Sequence, residues 1–172
     1  EFGGPEVLSY EEAPKPKPGF GEALVRVKAA SINHIDIWVE KGTYYKPELP
    51  HIPGSDAAGI VEEVKDGDPA LIGRKVMAYP TLACFHCKFC IEGSHNLCSN
   101  YRTLGAHVNG SYSEYVTVPV KNLIAIPERL KFEEAAAIPL TFTTAYHMLV
   151  DRAKVHPGET VLVLSSALYP AR

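Results

Sequence analysis

All four cysteines of the chain lie in the stretch "CFHCKFCIEGSHNLC", residues 84–98, with the spacing C-x2-C-x2-C-x7-C. Thiolates placed this closely along a loop can converge on one tetrahedral metal, at roughly 2.3 Å per zinc–sulfur bond, and four of them leave no open coordination position. The expected ligands are therefore Cys84, Cys87, Cys90 and Cys98, holding a structural rather than a catalytic ion. Two alternatives stand beside zinc. The bacterial ferredoxin run starts with the same spacing, but its fourth cysteine would fall at position 94 with a proline after it, where this sequence has Ser94 and His95. Disulfides fit a secreted chain, and the N-terminus carries no charged region followed by an apolar one. Zinc fits best of the three, and His86 and His95 read as surface residues of the loop.

With 172 residues, there is room for one domain with a core of its own plus part of a second. The formal net charge of -3 and the absence of a Lys/Arg stripe exclude a phosphate-backbone surface, so nucleic acid is not an expected partner. The run "VLVL", residues 161–164, is far too short to span a bilayer, and no membrane partner is expected. These features predict a soluble, cytoplasmic chain. Its start at Glu1 and its end in "ALYPAR" read as cut ends.

Along the chain, "ALVRVKAAS" alternates apolar and polar residues like a half-buried strand, and "HIDIWVEKG" predicts a short helix closed by Gly42. "DAAGIVEEV", "KVMAY" and "YSEYVTVP" predict further strands, each bounded by turn residues. Short strands and frequent turns predict a mainly β, partly open barrel. From Phe132 the composition becomes helical, with Pro139 separating two helices or kinking one, and "ETVLVL" predicts a buried parallel strand opening an α/β layer.

The cysteine lobe, together with "VKAASINHIDIWVEKGTYY", "HIPGSDAAGIV", "GSYSEYVTVP" and "EEAAAIPLTFTTAYHML", resembles the medium-chain dehydrogenase/reductase superfamily of zinc alcohol dehydrogenases and quinone oxidoreductases. The resemblance implies a GroES-like substrate domain over residues 1–131, with its zinc lobe at 84–98. It implies, over residues 132–172, a helical connection and the truncated start of a Rossmann domain, with the active site in the cleft between the two. In zinc alcohol dehydrogenases a second, catalytic zinc takes a Cys, a His and a further Cys or acid. The matching positions here are Asn33, Ser55 and Leu140 or Thr141, which do not replace thiolate and imidazole as zinc ligands. The resemblance around Asn33 is to the zinc-independent quinone oxidoreductases, although members of that branch commonly lack the cysteine lobe.

The expected activity is thus reduction of a quinone or enone by hydride from NAD or NADP, with no catalytic zinc, by the full-length protein. The resemblance places Asn33, Asp36 and Tyr44 in the cleft near substrate or nicotinamide and Thr144 against the nicotinamide carboxamide. Asp36 alternatively orients its loop, Tyr44 alternatively packs on the barrel, and His34 reads as a partly exposed structural histidine, with proton donor as its alternative role. "SSALYPAR" holds no glycine for a dinucleotide-binding turn, so the 172-residue chain itself is expected to be inactive, and NAD cannot be told from NADP. Two other readings stand: an alcohol dehydrogenase whose metal is held by Asp56 with His34 or His51, and a non-catalytic zinc-stabilised binding module. Homo-oligomerisation is expected of the full-length protein.

Overall fold

The computed structural model describes residues 1–163. Strand β1 (Glu22–Ser31) is followed by helix α1 (His34–Glu40), then β2 (Asp56–Val64), β3 (Lys75–Ala78) and β4 (Thr81–Leu82). A one-turn helix α2 (Lys88–Ile91) lies in the cysteine loop, before β5 (Arg102–Thr103), β6 (Tyr115–Pro119) and β7 (Leu123–Ala125). Helices α3 (Phe132–Ala136) and α4 (Pro139–Tyr146) follow. Five strands form one antiparallel sheet in the order β6-β1-β2-β3-β7, while β4 and β5 pair separately. The sheet curls without closing, as the sequence predicts for a partly open barrel.

The period-2 pattern of the strands sorts their side chains onto two faces. On the inner face Ala23 and Val25 of β1, Ala57 and Val61 of β2, and Val116 and Val118 of β6 form the main core with Leu104. Each such valine or leucine gains about 2 kcal/mol from leaving water. Ala58 of β2 and Met77 of β3 point to the opposite face, where Ala135 and Ala136 of α3 and Ile126 cover them. The small side chains let α3 lie close to the sheet. The β1–β2 register brings Ser31 opposite Asp56 at one end of the ladder.

Two arrangements position the functional residues. The β4–β5 pair, Thr81 opposite Thr103 and Leu82 opposite Arg102, closes the base of the cysteine lobe. Buried Asn122 fixes that base to the sheet, its Nδ2 donating to the carbonyls of Tyr79 (2.9 Å) and Thr81 (2.7 Å). Elsewhere the loops at Gly54, Gly105 and Gly110 meet backbone to backbone. A Cβ on Gly110 would stand 2.1 Å from the Gly54 carbonyl oxygen and one on Gly105 2.3 Å from it, so only glycine fits. This contact lets Ser111 N–H donate to Gly54 O (3.0 Å) and Tyr112 N–H to Pro53 O (3.0 Å), setting residues 111–112 beside residues 55–56.

Pro139 separates the two helices as expected and sits in the first turn of α4, where its missing N–H costs nothing. The chain continues from α4 into a π-helical stretch, His147–Arg152. The strand expected at residues 159–164 does not form over 159–163, which are exposed and unpaired; Leu164 lies outside the described residues. A buried parallel strand needs neighbours on both sides, and none of the seven described strands lies next to this segment.

Candidate functional site

The four cysteine sulfurs come together as the spacing predicts, all within 4.8 Å of one another. The Cys84–Cys90 and Cys87–Cys98 Sγ···Sγ distances are each 3.9 Å. That is close to the edge of about 3.8 Å for a tetrahedron with 2.3 Å zinc–sulfur bonds, and far from the roughly 2.05 Å of a disulfide. All four thiols are free. Backbone amides prepare them for negative charge: Cys84 N–H and Asn100 N–H both donate to Cys98 Sγ, and Cys87 N–H donates to Cys84 Sγ, each at 3.3 Å. The Ser99 amide leads in lowering the Cys87 pKa to about 5, and the Cys84 amide leads in lowering that of Cys98. Burial, with neighbouring sulfurs adding to it, pushes the Cys90 thiol up to about 12. Four crowded sulfurs do not all ionise on their own, and a bound cation is what deprotonates such a set. The donor set therefore fits a closed tetrathiolate ion.

A second constellation sits where β1, β2 and the start of α1 meet. Asn33 takes the N-cap position of α1, and Asp36 Oδ2, one turn on, accepts from the Asn33 N–H (2.8 Å). Asn33 Nδ2 donates to Asp56 Oδ2 (2.9 Å), which also accepts from Ser31 Oγ (2.8 Å). Asp56 Oδ1 accepts from the Leu140 N–H at 3.0 Å. Because Leu140 is the second residue of α4, Asp56 satisfies one of the free first-turn amides of that helix from 84 residues away. Ser55 Oγ donates to Asp36 Oδ1 (2.8 Å) and Tyr112 Oη to Asp36 Oδ2 (3.0 Å). Ser111 Oγ donates to the Asp56 carbonyl at 2.6 Å.

Asp56 is fully buried, and Asn33, Asp36, Ser55 and Ser111 are nearly so. Burial raises the Asp56 pKa above the usual carboxylate value; the donors Asn33, Ser31 and Leu140 oppose this, while the Asp36 charge adds to it. Burial also raises the Tyr112 pKa, reinforced by the Asp36 carboxylate that holds its proton. Tyr112 thus serves as a hydrogen-bond donor at neutral pH rather than as an acid. Among the described residues the four cysteines are the one group of three or more His, Cys, Asp or Glu side chains whose donor atoms converge.

Of the sequence-predicted cleft residues, Asn33 and Asp36 meet directly. Asp36 both orients its loop and joins the network. Tyr44 lies elsewhere, on the loop after α1, about half exposed, with its ring edge-on to His107 at 6.3 Å. Thr144 is exposed and its hydroxyl donates back along α4 to Leu140 O (2.8 Å). Neither is bonded to the Asn33–Asp36 pair. Of the alternative ligands weighed with Asp56, His34 packs on Trp38 (centroids 5.4 Å apart) and His51 Nε2 bonds Gly105 O at 2.9 Å. Ser31, Ser111 and Tyr112 were not singled out in the sequence. The stretch "GSYSEYVTVP" contains two of them, and no spacing signal ties them to residues 36 and 56.

A mainly β, partly open barrel carrying a four-cysteine loop and a buried polar network defines a GroES-like domain of the dehydrogenase type. Residues 19–128 match the alcohol dehydrogenase GroES-like domain, and the chain belongs to that family. It is 40% identical over 161 residues to an alcohol dehydrogenase of Geobacillus stearothermophilus, covering 91% of this chain and 47% of that protein. It is 34% identical over 166 residues to the quinone oxidoreductase of Homo sapiens, covering 95% and 43%. Among solved structures it is similar to an NAD-dependent alcohol dehydrogenase, with a TM-score of 0.88 and 48% identity, covering 92% of this chain and 47% of that one. The chain spans about half the length of the curated relatives it matches. These relatives are oxidoreductases acting, by name, on an alcohol or a quinone. Among the described residues no helix is long and apolar enough to cross a membrane.

Proposed function

We propose that residues 1–131 form the substrate domain of a nicotinamide-dependent oxidoreductase that reduces a quinone or enone without a catalytic zinc. In this reading residues 132–172 lead toward the cofactor domain, and Cys84, Cys87, Cys90 and Cys98 hold one structural zinc. The observation that carries it is the closed hydrogen-bonding at the cleft corner. Both oxygens of Asp56 already accept, from Asn33 and Ser31 on one side and Leu140 on the other, and Asp36 is held by Ser55 and Tyr112. A catalytic zinc needs three protein ligands and an open position, and this corner offers carboxylates that are already engaged. A conjugated carbonyl needs less activation than an alcohol, which loses most without a Lewis acid.

A bound nicotinamide supplies the hydride. The chain's own residues hold the cleft: Asn33 is fixed by Asp56, Asp36 pins the start of α1, and Tyr112 screens the Asp36 charge from water. Tyr44 and Thr144 complete the cleft when the second domain stands opposite it. The protein acts in the cytoplasm on a small-molecule substrate, as a homo-oligomer.

The higher identity to alcohol dehydrogenases favours a second reading, oxidation of an alcohol at a metal bound in the cleft. One experiment separates the two. Metal analysis with anomalous scattering at the zinc edge is expected to give one zinc, in the lobe, and none by Asn33, Ser55 and Leu140. Quinone or enone reduction by the full-length protein is expected to survive a chelator that strips exposed zinc. A second zinc, or alcohol oxidation lost reversibly to the chelator, would overturn the proposal.

A further inference from the structure

His107 is the centre of an aromatic group outside the network just described. Its ring lies on Tyr45 at 4.2 Å, tilted by 32°, with Tyr44 and Tyr101 edge-on at 6.3 and 6.4 Å. A shallow cleft opens beside it, lined by Tyr45, Pro47, Pro50, His51, His107 and Asn109. Its walls combine rings and prolines with polar groups, which suits a flat ligand that carries a hydrogen-bond acceptor.

The hydrogen-bonding sense of the cleft follows from its partners. Thr103 N–H donates to His107 Nδ1 (3.1 Å), so the neutral ring carries its proton on Nε2, which takes no partner among the described residues. Burial and the Arg102 charge keep the ring neutral. Ile52 N–H donates to the Asn109 amide oxygen (3.1 Å), which leaves its Nδ2 as a donor with no partner among the described residues. His51 donates from Nε2 to the Gly105 carbonyl. Two fixed donors therefore stand in an aromatic and proline-lined cleft. Glu48, exposed on the rim, disfavours a carboxylate ligand.

We propose that this cleft, between residues 45–51 and 107–109, is a binding subsite for a neutral flat ring bearing a carbonyl oxygen, with Tyr45 against the ring and His107 Nε2–H and Asn109 Nδ2 on the oxygen. The subsite deepens the quinone or enone reading and rests on it for its meaning.

The test titrates acetophenone, an aryl ketone that does not alkylate cysteine, into the 172-residue chain and follows backbone amide shifts by NMR. The expected result is saturable shifts centred on Tyr45, His107 and Asn109. Asn109→Asp keeps the oxygen that accepts from Ile52 and removes the donor; it should weaken binding by about 3- to 10-fold, the worth of one hydrogen bond. His107→Phe, which keeps a ring and loses the donor, should do the same, and isopropylbenzene, of similar shape without an acceptor, should bind more weakly than acetophenone. Shifts centred elsewhere, unchanged affinity in both variants, or equal binding of isopropylbenzene would overturn the proposal. The titration needs neither cofactor nor turnover, so its failure leaves the reductase reading to the chelator experiment.

Discussion

Removing the Asn33 amide tests whether the polar network is built around a buried charge. In Asn33→Ala, Asp56 Oδ2 keeps Ser31 but loses the 2.9 Å bond from Nδ2. A hydrogen bond to a charged group contributes about 1.5–3 kcal/mol, so a loss of about 2 kcal/mol is expected at pH 7. That corresponds to about 4–8 °C in melting temperature for a chain of this size. The pH dependence is the sharper readout. The Asp56 pKa is already raised by burial in the folded chain, with Asn33 holding it down; without Asn33 it rises further. A group with a raised folded pKa favours folding below its unfolded value and costs stability as pH rises through the folded value. The deficit of the variant should therefore be smallest at a pH where Asp56 is protonated in both proteins. It should grow as pH rises through the interval between the wild-type and variant pKa values of Asp56, and be constant above it. Urea denaturation from acid to neutral pH measures this directly. A deficit of the same size at every pH would refute the charged-network account and leave only lost packing.

Two further outcomes follow from the lobe and the glycine contact. Cys87→Ser should abolish binding of the single zinc and lower the melting temperature while leaving the sheet's circular dichroism in place, since structural zinc adds folding free energy locally; iron in the purified protein, or no metal under reducing conditions, would contradict this. Gly110→Ala puts a Cβ 2.1 Å from Gly54 O and should cost about 3 kcal/mol or more through forced backbone movement. A change below about 1 kcal/mol in urea denaturation would show that the loops can part without penalty.

What the sequence reveals is what local pattern encodes. Alternation in residues 23–31 marks β1, turn residues bound the run 56–64 that becomes β2, Gly42 closes the segment of α1, and Pro139 divides α3 from α4. The cysteine spacing is legible because the ligands share one loop. The buried polar network is only half legible, because its residues come from distant segments. Tyr112 reaches Asp36 across 76 positions and Leu140 reaches Asp56 across 84, and both pairings are set by the glycine contact and the chain's path rather than by any periodicity. The stretch 112–119 reads as a strand throughout, yet β6 begins only at Tyr115. Residues 111–112 spend their amides on Gly54 and Pro53 instead of a ladder. Residues 159–163 show the opposite failure, an apolar run whose strand character depends on neighbours that local pattern does not supply.

The Leu140–Asp56 bond ties the start of α4 to the most buried carboxylate of the polar network. α4 leads away from the sheet, and Pro139 gives it a natural pivot. A swing of α4 about Pro139 must either carry Asp56 with it or strip that carboxylate of one of its three donors. A carboxylate so stripped, in a buried place, takes up a proton more readily. The geometry of the helix and the protonation of the cleft are thus two readings of one bond, and a change in either is transmitted to the other without passing through the substrate.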